Sequence, residues 1–127
     1  MEMTTHAVAW AEIPVTDFDR AKKFYSAIFD FEMPEMEMAP HRMGFLLSDM
    51  ENGGVGAAIV KGPDYVPTTK GCKVYLSGGS DLNTVLNRVA AAGGKVLQEK
   101  TIITPEFGFY ATFADTEGNH VSLHSMA

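Results

Sequence analysis

The 127-residue chain has a single cysteine, Cys72, so it cannot form an internal disulfide. It lacks any apolar run near the roughly 20 residues that a membrane-spanning helix needs, and its start lacks the features of a signal peptide. Basic residues are few, 10 against 16 acidic ones, which gives a formal net charge of −6. These shortages predict a cytoplasmic protein that neither spans a membrane nor binds nucleic acid.

What is present is the composition of an ordinary globular domain, with 46% apolar and 20% charged residues. The first half predicts a strand, a helix and a hairpin. Residues 7–15 alternate like a strand, with Trp10 and Glu12 on the less apolar face. Thr16 or Asp17 can cap the start of a helix. Apolar residues then recur at spacings of three and four, which predicts that this helix is amphipathic. After an irregular stretch at 31–42, two strands joined by a turn are predicted at 43–48 and 55–60.

The second half repeats this order after a linker, residues 62–71, that is rich in Gly, Pro and Thr. A strand at 72–77 places Lys73 and Tyr75 on one face. Ser80 is expected to cap a helix that ends at Gly93 and Gly94. We then expect a short strand at 95–98, a loop at 101–108, and a hairpin of strands 109–114 and 120–124.

The last strand separates apolar from polar side chains. Val121 and Leu123 point to one face, while His120, Ser122 and His124 point to the other. We expect the apolar faces of such strands to meet helices and the polar faces to line a cavity. That cavity would be walled by aromatic rings and carry mixed charges, which suits a small organic molecule.

The repeated order predicts an α+β fold of two βαβββ modules, about residues 5–61 and 72–127, that form one domain. Their strands would make one curved mixed sheet with the helices on its convex face. Whether the modules pair within one chain or swap with a second copy stays open.

Three segments resemble the vicinal oxygen chelate superfamily of glyoxalase I, bleomycin-resistance and extradiol-dioxygenase proteins. IPVTDFDRAKKFYSAIFDF, from Ile13 to Phe31, resembles its first-half signature. AAAGGKV and FADTEGNHVSL resemble the second-half signature, whose usual Asp-Pro-x-Gly-Asn form has proline where this chain has Thr116. Trp10 and Glu12 match a glyoxalase-like subgroup of short bacterial proteins that are often dimeric. The resemblance implies the fold described above and a homodimer.

The resemblance also bears on the cofactor. Metal-using members of this superfamily place His, Glu or Gln on the first and last strands of each half. The matching positions fall here on Trp10, Lys73, Ser122 and Ala57 or Ala58, none of which is a usual ligand of a divalent metal. The resemblance therefore implies that no cofactor is expected at the usual site.

The candidate ligand-binding residues are Trp10, Lys73, Tyr75 and Ser122. The bound molecule would be sequestered or turned over by acid–base chemistry. In the second case Glu12 or His124 would be the catalytic proton acceptor, with Tyr75 or Lys73 as the orienting donor.

Three kinds of alternative remain open. In the first, the candidate residues have structural roles: Trp10 could be a packing residue, Glu12 could form a salt bridge with Lys73, and His124 could lie at the surface. A metal-dependent lyase, isomerase or dioxygenase would need displaced ligands such as Glu12, His124 and perhaps His120. A non-catalytic dimeric scaffold would have no cavity.

Overall fold

The structure, a computed structural model, describes residues 1–46 and 50–127 and shows the βαβββ order twice. The first module contains β1 (Ala11–Pro14), α1 (Phe18–Phe29), β2 (Glu35–Met38), β3 (His41–Phe45) and β4 (Ala57–Lys61). A short 3-10 helix at Met50–Asn52 precedes β4. The second contains β5 (Tyr75–Ser77), α2 (Asn83–Leu86), β6 (Lys95–Thr104), β7 (Gly108–Ala114) and β8 (His120–Ser125).

The predicted α+β class is confirmed. The strands form two four-stranded mixed sheets, ordered β1-β4-β3-β2 and β5-β8-β7-β6, so each module contributes its own hydrogen-bonded sheet. In each sheet the first and last strands of the module pair in parallel, and the other neighbours pair antiparallel. This topology places the opening strand of each module beside its closing strand.

Several predicted boundaries were wrong. The strand expected at 7–15 is shorter, and the irregular stretch 31–42 contains β2 and the start of β3. The first half of the loop expected at 101–108 belongs to β6. Because β2 and β6 are edge strands with mostly exposed side chains, they lack the buried face that produces an alternating pattern. Residues 47–49, the end of the strand expected at 43–48, lie outside the described residues.

Helix α1 forms as the sequence predicts. Asp17 is its N-cap, and its side chain accepts a hydrogen bond from the backbone N–H of Arg20 at 3.1 Å. The helix ends at Asp30, which adopts a left-handed conformation with φ of 52°. Its buried face carries Phe18, Ala21, Phe24, Tyr25 and Ile28.

Helix α2 is a single turn, and the cap predicted at Ser80 was wrong. Its N-cap is Leu82, whose backbone N–H donates to the Ser125 Oγ of β8 at 3.0 Å. A hydroxyl from a distant strand therefore satisfies a helix-start donor that we expected a local side chain to satisfy. Further along, the Arg88 guanidinium donates to the Ile28 carbonyl at the end of α1, at 3.1 Å.

The two modules share one apolar core. Phe24 and Tyr25 of α1 lie against the ring of Phe113 in β7, with ring centroids 5.8 and 6.5 Å apart. Val121 and Leu123 are buried in the same cluster, as the alternation of the last strand predicts. The first module's helix thus packs directly on the second module's sheet, and this contact fixes the arrangement of the two sheets.

A turn between β7 and β8, residues 115–119, binds to the start of α1; we call it the turn clamp. The Tyr25 hydroxyl, fully buried, donates to the Asp115 carboxylate at 2.8 Å. Burial, followed by the charge and hydrogen bond of Asp115, raises the pKa of Tyr25 well above its usual value. Asn119 donates to the Pro14 carbonyl at 2.7 Å, and Gly118 supplies a φ of +92° that the tight turn needs.

Glu117 contributes the charge of the turn clamp. Its carboxylate accepts the backbone N–H groups of Thr16 and Asp17, at 2.9 and 2.7 Å, and the Nε of Arg20 at 2.7 Å. Burial disfavours the charged form, but the hydrogen bonds outweigh it and lower the pKa of Glu117 to about 2. The carboxylate thus accepts hydrogen bonds from free N–H groups at the start of α1 and opposes the positive end of the helix dipole.

We expect the turn clamp to make the protein acid-sensitive. The folded-state pKa of Glu117 lies below its unperturbed value of 4.5, so its contribution is complete above pH 5 and is lost as pH falls toward 2. Glu117→Gln should lower the free energy of unfolding at pH 6 by up to about 3 kcal/mol and flatten its decline between pH 5 and 3.

Urea titrations at both ends of that pH range measure this effect. The matched control is Glu35→Gln, which removes an exposed carboxylate paired with Lys22 and Arg42 and should change stability far less than Glu117→Gln. An identical pH dependence in wild type and Glu117→Gln would contradict the assignment.

Candidate functional site

A cavity of about 110 Å³ lies on the polar face of the second sheet. Its floor comes from β5, β7 and β8, and its wall comes from the segment that joins the modules. The lining residues are Thr68, Thr69, Lys70, Gly71, Cys72, Lys73, Tyr75, Tyr110, Thr112, His120 and Ser122.

Strand register assembles the floor. Ser122 in β8 lies between Tyr75 of β5 and Thr112 of β7, which are its partners on either side. The hydroxyls of Thr112 and Ser122 are 2.9 Å apart and hydrogen-bonded to each other. The floor is therefore polar but partly satisfied, with the phenol groups of Tyr75 and Tyr110 beside it.

The wall belongs to residues 62–73, which we call the strap. The Tyr65 hydroxyl donates to Glu12 Oε1 at 2.5 Å, and the Tyr65 ring meets the His41 ring edge-on at 5.5 Å. The hydrogen bond to Glu12 and burial raise the pKa of Tyr65. Further along, the Thr68 N–H donates to Asn119 Oδ1 at 3.1 Å. The strap is thus held by one residue from each module before it reaches the cavity.

Three of the six predicted site residues, Lys73, Tyr75 and Ser122, line this cavity together. Glu12 lies in β1 of the first sheet, and Trp10 immediately precedes that strand. The Trp10 ring packs against Phe45 at 6.1 Å, and its Nε1 donates to Glu12 Oε2 at 3.3 Å. Glu12 therefore accepts hydrogen bonds from an indole and a phenol. The salt bridge considered between Glu12 and Lys73 is not among the ion pairs found in residues 1–46 and 50–127.

The histidines of the last strand separate as well. His120 lines the cavity, while His124 Nε2 lies 2.6 Å from the carbonyl oxygen of Phe107 in the β6–β7 turn. His124 therefore contacts the backbone of the neighbouring β6–β7 turn, and it is not among the lining residues.

Sequence reasoning missed much of the lining. Tyr110 and Thr112 alternate along β7 and pair with His124 and Ser122, so the hairpin register could have identified them. The strap residues had no comparable signal, since a Gly-, Pro- and Thr-rich stretch predicts only a linker. Their position depends on the contacts of Tyr65 and Thr68 with distant residues.

The residues at the superfamily's metal positions do not fit a divalent cation. An indole N–H and an ammonium group present hydrogens where a metal needs lone pairs, and alanine presents neither. In the part of the chain that the structure describes, no three His, Cys, Asp or Glu residues are grouped so that they could hold a metal ion. The displaced set of Glu12, His120 and His124 is therefore not assembled within one chain.

A sequence model of the glyoxalase/bleomycin resistance protein/dioxygenase superfamily matches residues 6–123. The chain belongs to this superfamily. A glyoxylase-like domain-containing protein of Didymella fabae is 30% identical over 118 residues, and the match covers 88% of each chain. The predicted resemblance is confirmed.

Solved structures of this superfamily share the fold at low identity. The V278E mutant of glyoxalase I from Zea mays has a TM-score of 0.69 at 19% identity, over 93% of this chain and 45% of the maize chain. This chain therefore matches less than half the length of the maize enzyme. A FosX mutant from Listeria monocytogenes, in complex with Mn(II) and a dihydroxypropylphosphonic acid, has a TM-score of 0.60 at 15% identity, over 98% of this chain and 93% of FosX.

No helix within residues 1–46 or 50–127 combines the length and apolar character that crossing a membrane requires.

We expect the Tyr65–Glu12 hydrogen bond to hold the strap in place. Tyr65→Phe removes the hydroxyl alone and should speed amide hydrogen exchange over residues 66–71 about fivefold, because one anchoring hydrogen bond is lost. Exchange followed by mass spectrometry measures this. Tyr110→Phe, which alters the cavity floor but not the strap's anchors, is the control. Unchanged exchange in Tyr65→Phe would show that the strap is held without Glu12.

Proposed function

We propose that this superfamily member binds a small polar organic molecule in the cavity beneath the strap, without a metal at the superfamily's usual positions. The observation that carries the proposal is the cavity itself, in which Lys73, Tyr75 and Ser122 come together. Residues of β5, β7, β8 and the strap line it, and most of them are exposed, so a ligand can reach the cavity from solvent.

The size of the cavity supports a small ligand. A volume of about 110 Å³ exceeds what one water molecule needs several-fold. Hydroxyl, phenol, ammonium and imidazole groups line it, whereas large apolar side chains are confined to the rings of Tyr75 and Tyr110. Such a lining favours a molecule that is itself polar.

Sequestration is better supported than turnover. Glu12 and His124, the candidate proton acceptors, lie outside the lining and are hydrogen-bonded to other groups of the protein. Acid–base turnover within one chain would need a base in the cavity. His120 is the group of that type in the lining, with Lys73 or Tyr75 as donor.

The proposal includes a homodimer. Met36 and Met38 of β2 are 47% and 54% exposed, and by register they lie beside Met43 and His41 on the sheet face that also carries Phe45. An exposed apolar face of this kind suits a second copy. It also includes a reducing, cytoplasmic location, which suits a chain whose one cysteine is exposed and unpaired.

Blocking the cavity tests ligand binding. Thr69→Trp places an indole in the cavity from an exposed position of the strap, so it should leave the fold intact. Untagged protein equilibrated with a cell extract of molecules below about 1 kDa should retain a compound on the wild type, and the variant should retain about tenfold less. Mass spectrometry of the released compounds measures this.

Thr84→Trp is the matched control, because it adds the same indole at an exposed position of α2. Equal retention by both variants, or none by the wild type, would contradict the proposal. Elemental analysis of the same untagged protein tests its metal-free part, which stoichiometric Zn, Ni, Mn or Fe would overturn.

Sedimentation equilibrium tests the dimer. We expect a mass of twice 13.8 kDa for the wild type and a weaker association in Met36→Lys/Met38→Lys, which charges the exposed face of the first sheet. Leu97→Lys, which charges an exposed apolar position of β6, is the control. A monomeric wild type at micromolar concentration would refute the dimer and leave the cavity unaffected.

A further inference from the structure

We propose that the ligand of this cavity is a small organic oxyanion, a carboxylate or a phosphate, bound by Lys70 and Lys73. This inference rests on the proposed binding function and assigns the ligand's charge. It follows from the balance of hydrogen-bond donors, acceptors and charges in the lining.

The lining carries two positive charges and no negative one. Lys70 and Lys73 contribute ammonium groups, and the lining drawn from residues 1–46 and 50–127 contains no Asp or Glu. This is unusual in a chain with 16 acidic residues and a net charge of −6. A cationic ligand would meet only like charge there, whereas an anion would meet compensating charge.

Neither lysine has a carboxylate partner among residues 1–46 and 50–127. The five ion pairs found in the described part of the chain use Arg20, Lys22, Arg42 and Lys100. Lys70 and Lys73 take no part in them, although their neighbours in the strap are held by hydrogen bonds. Their charges are therefore left to solvent or to a ligand.

The remaining polar groups of the lining can also donate to an anion. The hydroxyls of Thr112 and Ser122 bond each other, and Thr68 Oγ1 accepts the N–H of Lys70, so these groups are partly used. The lining also includes the phenols of Tyr75 and Tyr110, the imidazole of His120, the Thr69 hydroxyl and the Cys72 thiol. An ammonium group has three donors and no acceptor, and a phenol can donate one hydrogen. An oxyanion, which offers several lone pairs and no donor, matches this inventory.

Four probes that share a three-carbon skeleton test the charge: glycerate, glycerol 3-phosphate, glycerol and 3-aminopropane-1,2-diol. Cys72 is the reporter, because it is the one cysteine of the chain, is exposed and lines the cavity. Alkylation of its thiol by neutral iodoacetamide should slow about fivefold or more at about 10 mM of an anionic probe, and it should not change with glycerol or the amine. Comparing glycerate with glycerol 3-phosphate identifies which oxyanion is preferred.

Lysine variants locate the effect. Lys70→Gln/Lys73→Gln should weaken binding of the protecting anion about tenfold or more, because it removes both positive charges of the lining. Lys70→Arg/Lys73→Arg keeps both charges and should retain protection. Lys23→Gln/Lys95→Gln, which neutralises two exposed lysines outside the cavity, is the matched control. Affinity should also fall as salt rises from 50 to 500 mM, as charge-dependent binding requires.

Each outcome separates this inference from the proposed function. Equal or better protection by glycerol or the amine, or no protection by either anion, would overturn the oxyanion assignment. The same holds if the compound retained from cell extract binds Lys70→Gln/Lys73→Gln as tightly as the wild type. In all three cases the loss of extract binding in Thr69→Trp would still stand as support for a ligand of another kind.

Discussion

The structure depends on the turn clamp, in which residues 115–119 of the second module bind the start of α1 in the first. Glu117 lies about 100 residues from Thr16 and Asp17 in sequence, yet its carboxylate accepts both of their N–H groups. A charge that satisfies the free donors of a helix start is stabilising, and its burial makes each hydrogen bond stronger. The docked helix can then pack its aromatic face on β7, which joins two small sheets into one core.

The turn clamp also reaches the site. Asn119 donates to the Pro14 carbonyl and to Asp115, and its side-chain oxygen accepts the Thr68 N–H of the strap. One side chain therefore joins the first module, the turn and the cavity wall. The network is complete, because no buried side-chain polar atom in the described residues lacks a partner. Folding of the modules onto each other and formation of the cavity wall are consequently coupled.

The parts of this structure that sequence predicted are those with a local period. The faces of β1, β5 and β8 follow from alternation, and the buried face of α1 follows from spacings of three and four. Edge strand β2 and the part of edge strand β6 after residue 98 were not predicted, because exposed strands have no buried face that produces an alternating pattern. The position of the strap could not be predicted, because it is set by Glu12 and Asn119, which lie about 50 residues away in sequence from Tyr65 and Thr68. The expectation that Trp10 and Ser122 share a cavity depended on the relation between the two sheets, which no local pattern encodes, and only Ser122 lines the cavity described above.

The side chains at the superfamily's metal positions decide which ligands this fold can bind. At the positions where metal-using relatives are expected to carry lone-pair donors, this chain carries an indole N–H, an ammonium group and a hydroxyl. A cation binds lone pairs and an anion binds hydrogens, so the ammonium group of Lys73 disfavours a cation at its position, whereas the Ser122 hydroxyl can bind either. On the first sheet the indole N–H is used internally, since Glu12 accepts from both Trp10 and Tyr65. Beside the second sheet Lys73 has no such partner among the described residues, and its ammonium group is what an anionic ligand would satisfy.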